Sequence, residues 1–308
     1  MQIVVLFNPV SGSGRGRMAA QEICAGLDEA GHTAHPVATR IEKDCGWLDE
    51  ALRNAQVLAV VGGDGAVRMA AGSAAGLAVP LYHVPCGTEN LFAREFGMTR
   101  SPSQLVNSVN AFNVRRVDLA YVNGHAFTLM ASVGLDAEVV HDLTQRRGPA
   151  ISHLSYAWPV TKQLAIWKPP ELTITVDGQP LVALQRGQVI IANSRQYGWR
   201  LNPAAEADMA DGLLDVVFFP ARTKLQLVTW AWRCVRRRQL THPKVIHARG
   251  MHVLVNSPQH ATYQIDGDPP PPPDARLANQ ETHGETESLR LEIRVQPGAL
   301  PVLLPAGS

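Results

Sequence analysis

The first third of the chain alternates short, fully apolar runs with helical stretches. Residues 3–7 and 57–61 are apolar without interruption, which is typical of strands buried on both faces of a parallel sheet. A helical stretch over 18–30 follows the first run, and Gly31 is placed to end it. A second strand and a second helix precede the central run, over 35–39 and 47–54. This β-α-β-α order predicts a doubly wound parallel sheet that binds ligands at the carboxyl ends of its strands.

The pattern changes after Asn113, where helical periodicity becomes scarce and short β-prone runs recur between turn residues. The runs are 117–122, 126–133, 172–176, 188–192, 214–219, 250–255 and 289–295. Such spacing predicts a β-sandwich or barrel, interrupted by helical stretches over 152–167 and 223–238. The predicted fold class is therefore α/β, with an N-terminal Rossmann-like parallel-sheet domain followed by a C-terminal β-sandwich domain.

The helical stretch over 223–238 combines tryptophans with arginines. Trp230 and Trp232 lie beside Arg233, and three further arginines follow at 236–238. Such a helix could anchor in a lipid headgroup layer. The alternative is an amphipathic helix that packs on the sandwich and leaves its arginines in solvent.

Three glycines surround one carboxylate directly after the central apolar run, in Gly62-Gly63-Asp64-Gly65. Glycines allow positive φ and leave no Cβ in the way, so backbone N–H groups can close on a bulky anion such as a polyphosphate. The helix predicted after them would add its partial positive charge. The motif therefore indicates a phosphate site, or else a glycine-rich turn that binds nothing.

A second small-residue turn follows the next predicted strand, over 79–85. Gly87 and Thr88 supply a flexible turn and a hydroxyl beside the first glycine loop, which suits hydrogen bonding to phosphate. The loop after the first strand, 8–17, matches neither GxxxxGK[ST] nor GxGxxG, so the usual nucleotide fingerprints are absent.

Composition and charge exclude several classes of protein. The chain has 308 residues, 45% of them hydrophobic and 18% charged, as in a soluble globular protein. Its formal net charge of +1 argues against nucleic-acid binding by bulk electrostatics. No apolar run reaches the ~20 residues of a transmembrane helix, and the first apolar run lacks a basic segment before it. We expect a cytoplasmic protein, peripheral at most to a membrane.

The metal-binding side chains do not form a zinc or disulfide framework. Four cysteines are far apart in the sequence, with no CxxC pair, which favours reduced thiols. The eleven histidines have no neighbouring ligands at zinc spacing, so surface or hydrogen-bonded core positions are expected for them.

The ordered set of motifs resembles the bacterial diacylglycerol-kinase-like lipid kinases, a family that is itself similar to sphingosine and ceramide kinases. The segments are Asn8-Pro9 with Ser11-Gly12, Gly62-Gly63-Asp64-Gly65, 85–94 (PCGTENLFAR), 192–198 (ANSRQYG), 211–215 (DGLLD) and Ile265-Asp266-Gly267-Asp268. They extend over nearly the whole chain, and six motifs in order are far more specific than any one of them.

The resemblance implies an ATP-dependent kinase that phosphorylates a lipid hydroxyl with the help of Mg²⁺. It implies a nucleotide-binding domain over 1–117, a lipid-binding sandwich over 118–295, and a return of 296–308 to the first domain. The expected partner is a lipid such as a diacylglycerol or a sphingoid base at a membrane surface. No nucleic-acid partner and no transmembrane segment are expected, and a homodimer is possible.

Site residues are carried over from the family motif by motif. The resemblance implies ATP contacts from the glycine loop, the Gly-Thr turn and a neighbouring strand end, at Gly62, Gly63, Asp64, Gly65, Ala66, Val67, Arg68, Thr88 and Thr39. It places magnesium on Asp208, Asp211 and the carbonyl of Leu213, oxygen ligands of the kind that Mg²⁺ prefers. The proton acceptor falls on Asp268.

Asp64 is the second catalytic candidate, because a carboxylate next to phosphate must act through Mg²⁺ or on the incoming hydroxyl. Phosphoryl transfer needs positioned phosphates, charge compensation by a metal and a carboxylate that takes the hydroxyl proton. For the neighbouring Asp266 we expect a structural role and not a catalytic one, as a carboxylate that caps the Asp-Gly bend.

Five positions depart from the family pattern. Ala66 replaces a threonine, Arg68-Met69 replaces an Asn-Glu pair, Leu91 replaces an aspartate, and Asp268 replaces a glutamate that is longer by one methylene. These changes remove polar contacts or shift a carboxylate near the proposed chemistry. They leave two alternatives to a lipid kinase: an NAD-kinase-like enzyme, which would share the Gly-Gly-Asp-Gly loop, and a non-catalytic protein that binds nucleotide or lipid.

Overall fold

The computed structural model describes residues 1–9, 14–40, 45–145, 162, 166–270 and 288–307. The elements of its N-terminal part are β1 (Gln2–Phe7), α1 (Arg15–Glu29), β2 (Thr33–Ala38), α2 (Gly46–Leu52), β3 (Val57–Gly62), α3 (Asp64–Gly76), β4 (Leu81–Pro85), α4 (Leu91–Phe96) and α5 (Pro102–Ala111). The alternation of strands and helices predicted from the apolar runs is confirmed.

The N-terminal strands form a parallel sheet in the order β2-β1-β3-β4. All six residues of β3 are buried, since neighbours flank it on both sides and helices cover both faces. Ile23 and Leu27 of α1 and Val67 and Ala70 of α3 complete this core. At α5, Ser101 is the N-cap: its Oγ accepts a hydrogen bond from Gln104 N at 3.4 Å, and Pro102 opens the helix.

The C-terminal part is largely antiparallel. Its elements are β5 (Val114–Val122), β6 (His125–Phe127), β7 (Met130–Val133), α6 (Leu135–Gln145), β8 (Glu171–Val176), β9 (Gln179–Ala192), β10 (Leu214–Pro220), α7 (Lys224–Val235), β11 (Ile246–Gly250), β12 (His252–Ser257), β13 (Tyr263–Ile265) and β14 (Leu289–Leu303).

Two layers of strands enclose the second core, as predicted for a sandwich. One layer contains β8, β12, β14, β5 and β6, and the other contains β13, β7, β9, β10 and β11. Side chains from both layers meet inside, including Ile174 and Ile293 from the first and Ile191 and Val216 from the second. Alternate residues of β8 and β12 are buried, which is the pattern of strands with one face in the core.

Two long strands connect the layers and the two parts of the chain. The first half of β9 pairs with β8, while its second half pairs with β10 and β7. β14 pairs with β12 and β5. Its C-terminal end reaches the parallel sheet, where Val302 is opposite Leu81 of β4. Leu300 and Val302 therefore belong to the core of the N-terminal part.

Two aspartates, the buried Asp266 and the exposed Asp177, explain why two predicted strands are each divided in two. The predicted strand 126–133 breaks at Thr128-Leu129, because the N–H groups of Thr128, Leu129 and Met130 donate to the carboxylate of Asp266 instead of a neighbouring strand. The predicted strand 250–255 is divided at Met251, whose N–H donates to Asp177 at 3.1 Å.

The helices of the C-terminal part correct the prediction once. Helix α6 was not predicted, although Asp136 and Glu138 in its first turn carry the acidic side chains that favour a helix N-terminus. The predicted helix 223–238 is confirmed over the shorter α7, which opens with a capping box between Thr223 and Gln226. No described helix is both long and apolar enough to cross a bilayer. The predicted helix 152–167 lies almost wholly outside the described residues, as do Ser11 and Gly12.

Candidate active site at the carboxyl edge of the parallel sheet

The loops that follow the parallel strands meet at one edge of the sheet. Phe7, at the end of β1, is in register with Ala38 of β2 and with Val61 of β3. The next residue of β3, Gly62, is in register with Pro85 of β4. Thr39 N donates to the carbonyl of Phe7 at 2.9 Å. The structure thus brings Thr39, the glycine loop after β3 and the Gly-Thr turn after β4 to the same edge.

The two glycine-containing turns pack backbone against backbone. Cys86 N donates to the carbonyl of Gly62 at 2.7 Å. A Cβ added to Gly87 would lie 2.7 Å from the Cα of Gly63, closer than any real contact. Glycine is therefore required at Gly87 by this close approach, and the backbone of both turns remains near the surface. Thr88 is exposed beside them.

Asn90 holds the Gly-Thr turn in shape. Its Oδ1 accepts from Gly87 N and its Nδ2 donates to Gly87 O, both at 2.8 Å. Asn90 itself has a φ of 50°, a left-handed conformation that asparagine tolerates better than most residues. The sequence reasoning did not assign this residue a role, although an asparagine next to a Gly-Thr turn is a common source of such local hydrogen bonds.

Asp64 lies in the first turn of α3 but binds the start of α4. Its two carboxylate oxygens accept hydrogen bonds from Leu91 N and Phe92 N, each at 2.9 Å. Burial raises the pKa of this carboxyl, the two N–H donors lower it, and the nearby charges of Glu89 and Asp268 raise it further. Asp64 therefore links the glycine loop to the segment after the Gly-Thr turn.

His83, in β4, supports the glycine loop from below. Its Nε2 lies 2.9 Å from the carbonyl of Gly62, so this nitrogen carries the hydrogen and donates it. The ring is fully buried, and burial lowers the pKa of His83 to about 4, so that it is neutral at pH 7.

We expect His83 to make stability fall as the pH is lowered from 7 to 5. Above the ordinary pKa of 6.5 the ring is neutral whether folded or unfolded; below it, only the unfolded chain takes up a proton until pH reaches about 4. The loss should be about 2 kcal/mol at pH 5. Urea unfolding of the wild type and of His83→Gln at both pH values measures it. The buried aspartates contribute equally to both proteins, so the difference isolates His83; an equal pH dependence would contradict the assignment.

A tight Asp-Gly turn brings a third segment to the same edge. Ile265 and Asp268 exchange two backbone hydrogen bonds of 2.9 Å across the turn. Asp266 and Gly267 have φ of 49° and 81°, the sign that a two-residue type I′ turn requires at both central positions. The Asp-Gly dipeptide is therefore a strong local signal for this geometry.

Asp266 anchors this turn to the sandwich. Its buried carboxylate accepts four hydrogen bonds of 2.8 to 3.0 Å, from Thr128 N, Thr128 Oγ1, Leu129 N and Met130 N. Burial raises the pKa of Asp266, and these donors oppose the rise. The expected structural role is thus present, but the carboxylate binds the 128–130 backbone and not its own bend.

Asp268 follows the turn and faces the glycine loop. Its Oδ2 lies 3.4 Å from Nη2 of Arg68, and the two side chains are 22% and 18% exposed. A Cβ added to Gly65 would lie only 2.5 Å from the same oxygen. The structure therefore brings Gly65, Arg68 and Asp268 together from segments that are two hundred residues apart.

Neither the side chain nor the backbone N–H of Ala66 and Val67, two of the predicted ATP contacts, is directed at the edge. Val67 is fully buried in the core beneath α3, and Ala66 packs against that core. Their N–H groups donate to the carbonyl of Gly63, at 3.0 Å from Ala66 and 3.3 Å from Val67. Arg68 is the only one of the three consecutive residues whose side chain reaches the edge.

The predicted magnesium ligands lie in a loop before β10, and the two carboxylates among them are paired with arginines. Asp211 accepts from Leu213 N at 3.0 Å and forms an ion pair with Arg249. Asp208 is 3.7 Å from Arg115. Arg249 also contacts Asp215, its partner in the β10–β11 register, at 3.3 Å. Among the residues that the structure describes, no group of three or more His, Cys, Asp or Glu side chains could hold a metal.

A parallel α/β sheet whose glycine loop meets an Asp-Gly turn from an antiparallel sandwich is the two-part kinase architecture that the motifs implied. The family model of the diacylglycerol kinase catalytic domain matches residues 2–122, and that of the YegS C-terminal NAD kinase beta sandwich-like domain matches residues 129–304. The chain belongs to the bacterial diacylglycerol-kinase-like lipid kinase family.

Curated relatives with lipid-kinase names match most of the chain. Diacylglycerol kinase of Mycobacterium tuberculosis is 27% identical over 312 residues, covering 99% of this chain and 95% of that protein. Diacylglycerol kinase of Bacillus subtilis is 23% identical over 276 residues, covering 86% and 88%. The probable lipid kinase YegS of Salmonella typhimurium is 25% identical over 270 residues, covering 84% and 82%.

A solved structure shares the fold. A diacylglycerol kinase from Bacillus anthracis superposes with a TM-score of 0.67 at 17% identity, covering 99% of this chain and 97% of that one. The arrangement of the two parts is therefore common to both proteins.

Proposed function

We propose that the protein transfers the γ-phosphoryl group of ATP to the hydroxyl of a lipid such as a diacylglycerol or a sphingoid base. The observation that carries this proposal is the approach of Asp268 to Gly65 and Arg68 at the carboxyl edge of the parallel sheet. It joins a carboxylate that can take a proton to a glycine loop whose backbone can approach phosphate.

Each part of the edge has a role in this proposal. The segment from Gly62 to Arg68 lines the phosphate site, and its backbone N–H groups before Ala66 hold the phosphates, because those of Ala66 and Val67 already donate to the Gly63 carbonyl. Thr88 and Thr39 add hydroxyl contacts. ATP, when bound, supplies the phosphoryl group. Asp268 accepts the proton of the lipid hydroxyl, and Arg68 holds its carboxylate in position.

Among Asp64, Asp266 and Asp268, exposure favours Asp268 as the acceptor of that proton. Asp64 uses one oxygen for Leu91 N and the other for Phe92 N, while Asp266 accepts four hydrogen bonds. A general base needs a lone pair directed at the substrate. Asp268 lies at the surface of the edge with 22% of its side chain exposed. Asp64 contributes by fixing the start of α4 and through its charge.

Magnesium is assigned in this proposal to Asp208, Asp211 and the Leu213 carbonyl. The ligands are hard oxygens in one short loop, as Mg²⁺ prefers. However, a cation there must compete with Arg249 for Asp211. The bound metal would therefore be held weakly unless the guanidinium moves away.

We expect Arg249→Gln to strengthen Mg²⁺ binding about tenfold, since the glutamine leaves the carboxylates of Asp211 and Asp215 without a guanidinium partner. Calorimetric titration with MgCl₂ in the absence of ATP measures this without relying on activity. Arg186→Gln, which breaks an exposed 3.0 Å ion pair with Glu171, is the matched control. If Mg²⁺ bound equally to all three proteins, the metal would have to bind elsewhere.

The proposed activity is tested with purified protein, MgCl₂ and ATP labelled at the γ-phosphate. Separate reactions contain micelles with diacylglycerol, monoacylglycerol, sphingosine or ceramide, and one contains NAD without lipid. Labelled lipid supports the proposal and identifies its class. Labelled NAD in the absence of labelled lipid would indicate the NAD-kinase-like alternative. Bound ATP without any labelled product would indicate a non-catalytic binding protein.

A further inference from the structure

Helix α7 has two apolar faces, of which the fold buries one. Leu227, Trp230 and Cys234 are at most 5% exposed and pack on the outer side of β10 and its neighbours. Leu225, Val228, Trp232 and Val235 are 75%, 50%, 52% and 61% exposed. Their spacing of three and four residues places the exposed side chains in one stripe along the helix.

The buried face fixes the rotation of α7. The Trp230 ring packs 6.1 Å from that of Phe219, and Trp230 Nε1 donates to the carbonyl of Pro220 at 2.9 Å. Rotating the helix to cover the exposed stripe would break these contacts. The stripe is therefore a fixed feature of the surface, and a row of four large apolar residues indicates a binding face.

The segment of the chain that contains α7 is strongly basic. From 216 to 265 the sequence contains eight Lys and Arg residues but no Asp or Glu, although the whole chain has a net charge of only +1. Arg236, Arg237 and Arg238 are exposed at the C-terminal end of α7. The Arg236 guanidinium lies 3.9 Å from the centre of the exposed Trp232 ring, so an aromatic and a cation share one spot.

The other end of α7 has a basic cleft. A cavity of about 240 Å³ is lined by Gln226 of the helix and by Arg186, Arg222 and Lys244, together with Gln185 and Pro220. Arg222 and Lys244 are exposed. Cations thus flank the apolar stripe at both ends.

We propose that the stripe and its flanking cations form a surface that docks on an anionic lipid bilayer. Apolar side chains that enter the interface and cations that attract acidic headgroups are the two contributions on which interfacial helices depend. A symmetric contact with a second copy would bring Arg236, Arg237 and Arg238 against their own counterparts if the two helices were parallel, or against Arg222 and Lys244 of the other copy if they were antiparallel, and both are unfavourable. Nucleic acid would use the cations but not the four apolar side chains.

Sedimentation with vesicles tests this surface, with no ATP present and therefore independently of kinase activity. One set of vesicles contains equal parts of phosphatidylglycerol and phosphatidylcholine, and the other only phosphatidylcholine. We expect the native protein to bind the anionic set. The pair Leu225→Ser and Trp232→Ser, and the pair Arg236→Gln and Arg237→Gln, should each weaken binding by about tenfold or more.

Matched controls change similar residues elsewhere. Leu184 is 57% exposed on β9, and Arg53 is exposed after α2, so Leu184→Ser and Arg53→Gln should bind vesicles like the native protein. Equal binding by the α7 variants would overturn the proposal. Two further results would also overturn it. One is a native dimer that does not bind vesicles and that the α7 variants convert to monomers; the other is a native protein that shifts labelled DNA or RNA in a gel but does not sediment with vesicles. Circular dichroism checks that each variant is folded.

Discussion

Asp268→Asn is expected to lower kcat by ~10²–10⁴-fold, the usual contribution of a general base, and to change the Kd for ATP little. The amide keeps the size of the side chain and can still accept a hydrogen bond from Arg68, which lies 3.4 Å from Oδ2. What it loses is the ability to take the proton of the lipid hydroxyl. Steady-state kinetics with the lipid identified in the substrate panel, together with ATP binding by calorimetry, separates the two effects.

Asp268→Glu should retain activity, because it restores the reach of the family's usual base. The longer side chain has to adjust, since Oδ2 of Asp268 already lies against Gly65. Asp49→Asn, which removes an exposed carboxylate from α2, should have no effect and serves as the control. If Asp268→Asn kept the native turnover, Asp268 would not be the base, and Asp64 or another carboxylate would have to be considered.

Asp266→Asn is not a suitable control, for a structural reason that the sequence did not give. The carboxylate accepts four hydrogen bonds and holds the whole Asp-Gly turn on the 128–130 backbone. An asparagine has only one acceptor oxygen, so at least one buried N–H would lose its partner, which typically costs ~1–3 kcal/mol. A loss of activity in that variant would report a displaced turn and not a lost base.

The N-terminal fold could be predicted because its physical signal is local. Uninterrupted apolar runs such as β3 are buried on both faces, and helices and strands alternate with capping residues between them. The same signal fails in β9 and β14, whose lengths depend on pairing with different neighbours along the strand. Polar residues, glycines and a proline at 185–188 and 296–298 interrupt the pattern there, and only distant partners keep the strands continuous.

The part of the candidate site that could be predicted is the close approach of its turns, because that approach depends on the backbone alone. Glycines at 62, 63, 65 and 87 indicated close approach, and the contact between Gly63 and Gly87 has that cause. The contacts between distant side chains were not predictable. The sequence around Arg68 does not indicate that its partner is Asp268, and the sequence around Asp211 does not indicate Arg249. Each ion pair depends on how two separate segments fold together.

Asp64→Asn is expected to abolish measurable phosphoryl transfer while the protein remains folded but less stable. The carboxylate accepts from Leu91 N and Phe92 N at 2.9 Å, and an asparagine would turn an N–H group of its own toward one of these donors. Leaving that donor unpaired should lower the free energy of unfolding by ~1–3 kcal/mol. It should also shift the start of α4 and the Gly-Thr turn beside it. Activity at saturating ATP and urea unfolding measure the two consequences.

Ser101→Ala provides the matched control for the Asp64 variant. It removes the N-cap of α5, in which Ser101 Oγ accepts a hydrogen bond from Gln104 N at 3.4 Å. This helix start is not part of the glycine loop, and such a change typically costs ~1 kcal/mol. We expect this variant to lose stability but keep its turnover. If both variants lost activity in proportion to stability, Asp64 would matter only for folding. Native turnover in Asp64→Asn at saturating ATP would mean that the carboxylate has no part in phosphoryl transfer, since neither its charge nor its hold on α4 would then be needed.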